Sequence, residues 1–419
     1  MLGRGDGPAR LTLYRQRPGW SEPRPPLASP GVSREQLVLV GARVERAGKG
    51  ALRVNGREVE AADLRPGDLV EVSDRLLLLC VERPAVWAGE AGAHPWGAPD
   101  AHGLVGESPA AWALRERLAF VARRAEHVLV RGPSGTGKEL VARALHRGSP
   151  RGKRALVARN AATIPPTLVD AELFGNVKDY PNPGMLERPG LIGEASGSTL
   201  FLDEFAELPA ELQAHLLRVL DGGEYHRLGE ARARTADLRL VAATNRPEAA
   251  LKHDVLARLK LRVEVPGLDA RPEDVPLLGR HLLAGIAASD AALAARLFPG
   301  GDPARPPRWT PALVAALVRR AWTTHVRELE ALLWEALQRG RDGPLDAWDE
   351  LLAAPAAGAP GAAAVDPETL TREQVQACLD RHGGRQEPVW RELGLSSRFV
   401  LARLVKRWGL DVRGRGRGE

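Results

Sequence analysis

The sequence predicts a multidomain chain: a β-sandwich first, then an α/β nucleotide-binding domain with a helical lid, then an all-α helix-turn-helix domain. Three observations predict it. An apolar run at 128–130 leads into Gly132-Pro133-Ser134-Gly135-Thr136-Gly137-Lys138-Glu139 and then a helical pattern over 140–145. A second apolar run, Thr199-Leu200-Phe201-Leu202, ends in Asp203-Glu204. Before residue 84 short strand-like runs alternate with turn signals, whereas beyond Thr371 the apolar spacing is helical and broken by glycines.

A strand, a glycine-rich turn and a helix start are what a phosphate-binding loop requires. Glycines let several N–H groups face one anion, and the helix N-terminus adds partial positive charge. Lys138 is placed to reach the outer phosphates. Glu139 stands where the general pattern has Ser or Thr, so the usual hydroxyl ligand for magnesium is missing. The run ending in Asp203-Glu204 reads as a buried strand with acids at its C-terminal edge, where open α/β sheets bind ligands. There Asp203 would hold Mg2+ and Glu204 would polarise the attacking water. A third strand, 238–243, ends in Thr244-Asn245-Arg246, whose polar tip is suited to sensing the γ-phosphate. Together these strand ends point to an ATPase with ATP and Mg2+ as cofactors.

Composition narrows the classes. No apolar run approaches a membrane span and the start carries no secretory signal, so a cytoplasmic protein without membrane contact is expected. Cys80 and Cys378 are the two cysteines, too few for a disulfide framework or a zinc site. The net charge of +6 and pI near 9.7 suit a polyanionic partner.

Residues 1–84 are expected to form the sandwich, with strands at 38–40, 52–54, 69–72 and 76–81 and turns at Asn55-Gly56 and Pro66-Gly67-Asp68. Gly3-Arg4, Ser33-Arg34, Val54-Asn55-Gly56 and Leu64-Arg65-Pro66-Gly67-Asp68 resemble a forkhead-associated domain, which reads phosphothreonine. The resemblance implies that Arg4 and Ser33 hold the phosphate of a phosphothreonine peptide or kinase. Gln36 replaces that family's histidine, and Gly50-Ala51-Leu52 replaces its Asn-Gly-Thr. Residues 85–103, rich in Pro, Gly and Ala, read as a linker. Trp87 and Trp96 within it either dock on a neighbouring surface or stay partly exposed.

From Leu104 the order of motifs is similar to the AAA+ domain of bacterial enhancer-binding proteins, the activators of sigma-54 RNA polymerase. The pieces are Val105-Gly106-Glu107-Ser108, the loop from Gly132 to Glu139, Asn160-Ala161-Ala162, Glu172-Leu173-Phe174-Gly175, Thr199 to Glu204, Leu216-Leu217-Arg218-Val219-Leu220, Ala243-Thr244-Asn245-Arg246 and Val326-Arg327-Glu328-Leu329. Glu139 is that family's habit. The resemblance implies a core over 104–266, a helical lid over 267–342 and a ring of identical subunits, hexameric in this reading. It gives Asn160 the restraint of Glu204, Arg327 the lid contact to nucleotide, and Arg258 a place in the next subunit's site. Lys252 stands where the family has a first arginine finger; it keeps charge but loses the planar fork. Where relatives carry Gly-Ala-Phe-Thr-Gly-Ala, the tip that touches sigma-54, this chain reads Asp179-Tyr180-Pro181-Asn182-Pro183-Gly184. No residue is gained or lost around it, so the scaffold is kept and the tip rewritten.

Residues 343–366 read as a second linker, 367–412 as the helix-turn-helix and 413–419 as a basic tail. The helical trio resembles the C-terminal DNA-binding domain of the same activators, with Ser397, Arg398, Arg403 and Arg407 on the recognition helix. From Arg381 onward ten Lys or Arg face four Asp or Glu, an excess suited to DNA phosphates. The reading is an ATP-dependent, DNA-binding regulator of the sigma-54 activator type with an altered or lost sigma-54 contact. The alternative is a DNA-bound scaffold that recruits phosphorylated partners and turns over little ATP.

Overall fold

A computed structural model describes the chain except residues 6–9, 29–30, 74, 166, 341–342, 354–369, 383–388, 391–392, 394–397 and 411–419, and gives the backbone alone for 398–400, 403 and 406. The chain divides into two compact units, residues 1–318 with 322–352, and residues 319–321 with 353–419.

The first unit begins with nine short strands: β1 (Leu13–Arg17), β2 (Trp20–Arg24), β3 (Leu37–Val40), β4 (Arg43–Arg46), β5 (Leu52–Val54), β6 (Arg57–Glu58), β7 (Ala61–Asp63), β8 (Leu69–Val72) and β9 (Leu76–Leu79). They form a β1–β2 hairpin, a three-stranded sheet β3-β4-β7 and a four-stranded sheet β6-β5-β8-β9. Leu37, Val44, Leu52, Val70 and Val72 fill the space between the two larger sheets. All four expected strands are present. The hairpin, β4, β6 and β7 were not foreseen, because segments such as Arg43-Val44-Glu45-Arg46 offer a single apolar residue to a shallow core.

The four consecutive leucines of β9 have a structural cause. Successive strand residues point to opposite faces. Leu76 and Leu78 pack into the sandwich core, whereas Leu77 and Leu79 pack with Leu69 against the lid cluster. This hairpin is packed against apolar clusters on both faces, its β9 leucines half-buried, which a continuous apolar run reflects.

Five parallel strands follow: β10 (Val128–Arg131), β11 (Val157–Asn160), β12 (Thr199–Asp203), β15 (Arg239–Thr244) and β16 (Leu261–Glu264), in the order β11-β12-β15-β10-β16. A small hairpin, β13 (Glu224–Tyr225) with β14 (Arg234–Thr235), lies apart from this sheet. The helices of the core are α1 (Pro109–Ala122), α2 (Lys138–Arg147), α3 (Val169–Phe174), α4 (Gly190–Glu194), α5 (Ala210–Gly222) and α6 (His253–Arg258). The helical lid comprises α7 (Val275–Ala287), α8 (Ala291–Leu297), α9 (Pro311–Arg319) and α10 (His325–Arg339); α11 (Asp349–Leu352) falls in the stretch 343–366 expected as a linker, but Leu345 and Leu351 are buried in the lid cluster and tie its first part to the lid. Helices cover both faces of the sheet, so β12 and β15 are buried along almost their whole length and apolar in their centres.

Residues 85–103 behave otherwise than a linker. Gly19 donates to the Trp87 carbonyl, Trp96 packs on Trp20 with ring centroids 6.3 Å apart, and Arg17 donates to the His94 carbonyl at 2.8 Å. Pro and Gly content marks an irregular path here, not a free one, because tryptophans anchor it.

In the second unit α12 (Arg372–Arg381) begins with a capping box, Thr371 accepting from Gln374 N–H and Gln374 accepting from Thr371 N–H. A further helix, α13 (Arg398–Trp408), shares an apolar cluster with it through Val375, Cys378, Leu379, Val389, Leu401 and Leu404. Cys378 is a small buried hydrophobe, as its apolar neighbours require. Ser397 and the turn before α13 lie outside the described residues, as do the side chains of Arg398 and Arg403; Arg407 is exposed on α13.

Candidate nucleotide site

The site lies at the C-terminal edge of the parallel sheet. β10 delivers the chain into the loop from Gly132 to Lys138, and α2 starts at its end. Gly137, the residue before α2, has φ of 97°, and Gly135 has φ of 77°. A side chain at Gly135 would be strained and would also run into the Thr324 carbonyl of the lid. Thr136 donates from Oγ1 to the Pro133 carbonyl. Lys138 is buried, its Nζ donating to the Gly132 and Pro133 carbonyls at 3.1 and 3.2 Å. Burial lowers its pKa against the opposing pull of Glu204 and Asp203. Glu139 points outward and pairs with Arg143 at 2.7 Å one turn on; such an exposed pair contributes at most about 0.5 kcal/mol.

β12 lies two places from β10, with β15 between them. Its acids therefore stand across the Thr244 strand end from the phosphate loop. Asp203 accepts Glu204 N–H at 2.9 Å, and Glu204 holds a left-handed backbone at φ 49°, ψ 42°. For a non-glycine residue that conformation costs on the order of 1 kcal/mol and is found most often at functional sites. Burial raises the Glu204 pKa, and Lys138 offsets part of the rise. Thr244 is fully buried, its carbonyl receiving Gly132 N–H and its hydroxyl receiving Arg246 N–H. Asn245 is exposed beside it.

The lid closes the other side. Val326 N–H donates to the Gly135 carbonyl, and Arg327 reaches Ser134 Oγ at 3.3 Å. Between lid and loop lies a cleft of about 520 Å³ lined by residues 134–141, Asp203, Glu204 and Arg327, with Leu104, Val105, Leu278 and Leu282 forming an apolar wall. A charged end and an apolar end in one cleft suit a nucleotide's phosphates and base.

Two sequence-predicted residues stand apart from this cluster. Asn160 ends β11 in register with Asp203, but its Oδ1 accepts Ala162 N–H and caps a short 3₁₀ turn; among the described residues no hydrogen bond joins it to Glu204. Arg258 lies at the end of α6, away from its own chain's cleft, held by both oxygens of Asp221 at 3.0 and 3.1 Å. Lys252 caps the start of the same helix, its N–H donating to Gln213.

The stretch expected to be a rewritten tip is a compact loop. Asn176, fully buried, donates from Nδ2 to the carbonyls of Val177, Tyr180 and Leu186. Asp179 accepts Gly184 N–H at 2.8 Å, so its charge has a partner within the loop. Tyr180 lies over Gly229, where a Cβ would strike its ring.

A further cluster escaped sequence reasoning. Arg17 of β1 is buried and grips Glu107 with two hydrogen bonds, at 2.8 and 2.5 Å. The rings of Trp20, Trp96 and Trp112 surround its guanidinium, centroids 5.3–5.9 Å away. Glu107 also accepts from Gly97 N–H and Trp112 Nε1. Glu107 N–H and the Ser108 N–H and hydroxyl all donate to Asp274 at the start of the lid. Glu107 stands in one of the recognised motifs, but its partner lies 90 residues earlier, a pairing no local pattern announces.

A parallel sheet whose strand feeds a phosphate loop, beside an acid-tipped strand and under a helical lid, is the AAA+ ATPase fold. Residues 104–265 match the sigma-54 interaction domain. The chain is 39% identical over 234 residues to the DNA-binding transcriptional regulator NtrC of Escherichia coli K12, covering 54% of this chain and 47% of NtrC. It is 33% identical over 339 residues to the transcriptional regulatory protein ZraR of Escherichia coli O157:H7, covering 78% of this chain and 72% of ZraR. Among solved structures it is similar to NtrX from Brucella abortus in complex with ATP, at 31% identity and a TM-score of 0.51 over 73% of this chain and 69% of that one. The chain belongs to the family of transcriptional regulators that carry a sigma-54 interaction domain. It spans about half the length of NtrC.

Among the described residues no helix is long and apolar enough to cross a membrane, and no group of three or more His, Cys, Asp or Glu is placed to hold a metal.

Proposed function

We propose that this chain is an ATP-hydrolysing, DNA-binding regulator of transcription whose contact with sigma-54 RNA polymerase is altered or lost. The observation that carries the ATPase reading is the convergence of Lys138, Asp203, Glu204 and Arg327 on one cleft. The loop from Gly132 to Glu139 offers its N–H groups to the phosphates, and Lys138 leaves its two carbonyls for the outer ones. Asp203 has one oxygen on Glu204 N–H, and its carboxylate would hold a magnesium ion, which would neutralise phosphate charge. Glu204, its backbone strained and its carboxyl partly desolvated, orients and polarises water. Thr244 and Asn245 sense the γ-phosphate, and Asn160 restrains Glu204 once nucleotide reorders the strand ends. Arg327 reports occupancy to the lid. Arg258 completes the site of the neighbouring subunit in a hexameric ring, which accounts for its distance from its own.

At the other parts of the chain the reading is as follows. Residues 367–412 bind DNA, with Ser397, Arg398, Arg403 and Arg407 facing it. The sandwich is a forkhead-associated domain in which Arg4 and Ser33 hold a phosphothreonine; Arg4 N–H donates to the Ser33 carbonyl, so the two are neighbours. Gln36 is buried beside them, accepting Ser33 N–H, with its Nε2 unpartnered. The Asn176-pinned loop, lacking the family's flexible tip, supports the altered sigma-54 contact. That same loop, with Lys252 at a finger position, favours the second reading, a DNA-bound scaffold with little turnover.

Steady-state ATP hydrolysis by the full chain, with Lys138→Ala as control, separates the readings. Magnesium-dependent turnover that the variant loses supports the first. Turnover equal to the variant's background supports the scaffold.

A further inference from the structure

Four arginines are buried among the described residues: Arg17, Arg227, Arg239 and Arg271. Three are fully engaged. Arg17 has Glu107 and the carbonyls of Gly92, His94 and Pro95. Arg227 has Glu187 and Glu230. Arg239 places its guanidinium on the carbonyls of Val121, Ala122 and Glu126. Arg271 is 6% exposed and makes no side-chain hydrogen bond or ion pair to any described residue; its Nε is sealed from solvent without a partner. Leaving a buried charge unpaired is among the costliest arrangements a fold can keep.

Arg271 also lines the nucleotide cleft. Its position along that cleft follows from its neighbours. Arg271 feels the charges of Asp274 and Arg115. Arg115 donates to the carbonyls of Leu104 and Gly106, at the apolar wall. Three residues on from Arg271, Asp274 accepts the N–H groups of Glu107 and Ser108, which directly follow Leu104, Val105 and Gly106 in the chain, so Arg271 stands at the wall end of the cleft. Asp274 does not neutralise it closely, since that carboxylate is taken by Glu107 and Ser108.

We propose that Arg271 is a specificity residue for the nucleotide's base: its guanidinium donates to a ring nitrogen of the bound purine while Lys138 and Arg327 hold the phosphates. This rests on the cleft being an ATP site. The apolar wall accepts the ring face, and the buried guanidinium, its Nε without a partner, is a charged donor for its edge. A pyrimidine, with a shorter edge, would leave the charge unsatisfied.

The test compares ATP and inorganic tripolyphosphate binding to the full chain by calorimetry, for the natural protein, Arg271→Gln and Arg271→Lys. Both variants should bind ATP about ten- to a hundredfold more weakly, the range for hydrogen bonds to a charged group, with tripolyphosphate affinity unchanged. Equal losses for both ligands would show that Arg271 acts through the fold as a distant counter-charge to Asp274, and would overturn the proposal. So would unchanged ATP affinity. If the natural protein binds neither ligand, the ATP-site reading itself fails, an outcome separate from a variant effect. Arg271→Lys keeps the charge near Asp274 and guards against a variant that fails to fold.

Discussion

Replacing Arg17 with methionine should undock the sandwich from the ATPase while leaving both folded. The change keeps much of the apolar stem and removes the charge. Glu107 would then remain buried with Gly97 N–H and Trp112 Nε1 as its donors. Removing one partner of a buried pair typically costs about 3–5 kcal/mol, roughly two to four orders of magnitude in the docking equilibrium. The carbonyls of Gly92, His94 and Pro95 lose their donor too, so the segment 85–103 should loosen with it. Hydrogen exchange is the assay: amides over 85–107 should speed up, while β10, β12 and β15 stay protected. Adding Glu107→Gln should recover much of the protection, because no buried charge is then left unpaired. The pH dependence has a definite sign. Burial pushes the Glu107 carboxyl up, but Arg17, Gly97 and Trp112 together hold it below its ordinary 4.5. A carboxyl depressed in the folded state stabilises fully above its unfolded value and stops doing so as pH falls through the folded one. Docking should therefore be constant down to pH 4.5, weaken below it, and lose this dependence in the Arg17→Met/Glu107→Gln double variant, which has no carboxyl there. Unchanged exchange in Arg17→Met would refute the reasoning, since the pair could not then be what holds the sandwich in place.

Other outcomes follow from the same geometry. Glu204→Gln should keep ATP binding and abolish hydrolysis; lost affinity with unchanged turnover would remove Glu204 from the role of base. Arg258→Ala and Lys138→Ala proteins, each inactive alone, should regain hydrolysis when mixed, because an intact loop then meets an intact finger, and no gain under conditions where both assemble together would contradict the role in trans. Deleting 367–419 should abolish DNA binding and spare ATPase activity, and for the full chain log K should fall with log salt at a slope of about −4 to −5 if four to six cations meet phosphates. Asn176→Ala removes three hydrogen bonds to carbonyls of one loop, so proteolysis within 177–187 should accelerate; an unchanged rate would mean that the loop is held from elsewhere.

The residues that make the cleft were legible because each belongs to a local pattern. Gly132 to Lys138 follows a strand and opens a helix, and Asp203-Glu204 ends an apolar run. What escaped was long-range. Arg17 and Glu107 are 90 positions apart, and neither flanking pattern marks them as partners. The segment 85–103 has linker composition, yet its tryptophans dock it. The run Leu76-Leu77-Leu78-Leu79 was readable as a strand, but its second buried face depends on a lid that follows two hundred residues later. Asp179 looked like a charge in search of a partner, and the loop itself supplies one in Gly184 N–H. Arg271 gave no signal at all, because an arginine without a partner is recognisable only once the fold shows that it is buried.

In vitro transcription from a sigma-54 promoter bearing this protein's DNA site, with sigma-54 polymerase and ATP, decides whether the pinned loop still serves the family's contact. The proposed reading, in which Asp179 to Gly184 stand in place of the contact tip, expects ATP hydrolysis without open complexes, and Asn176 fastens that loop through the Tyr180 carbonyl. ATP-dependent open-complex formation by the natural sequence would contradict it.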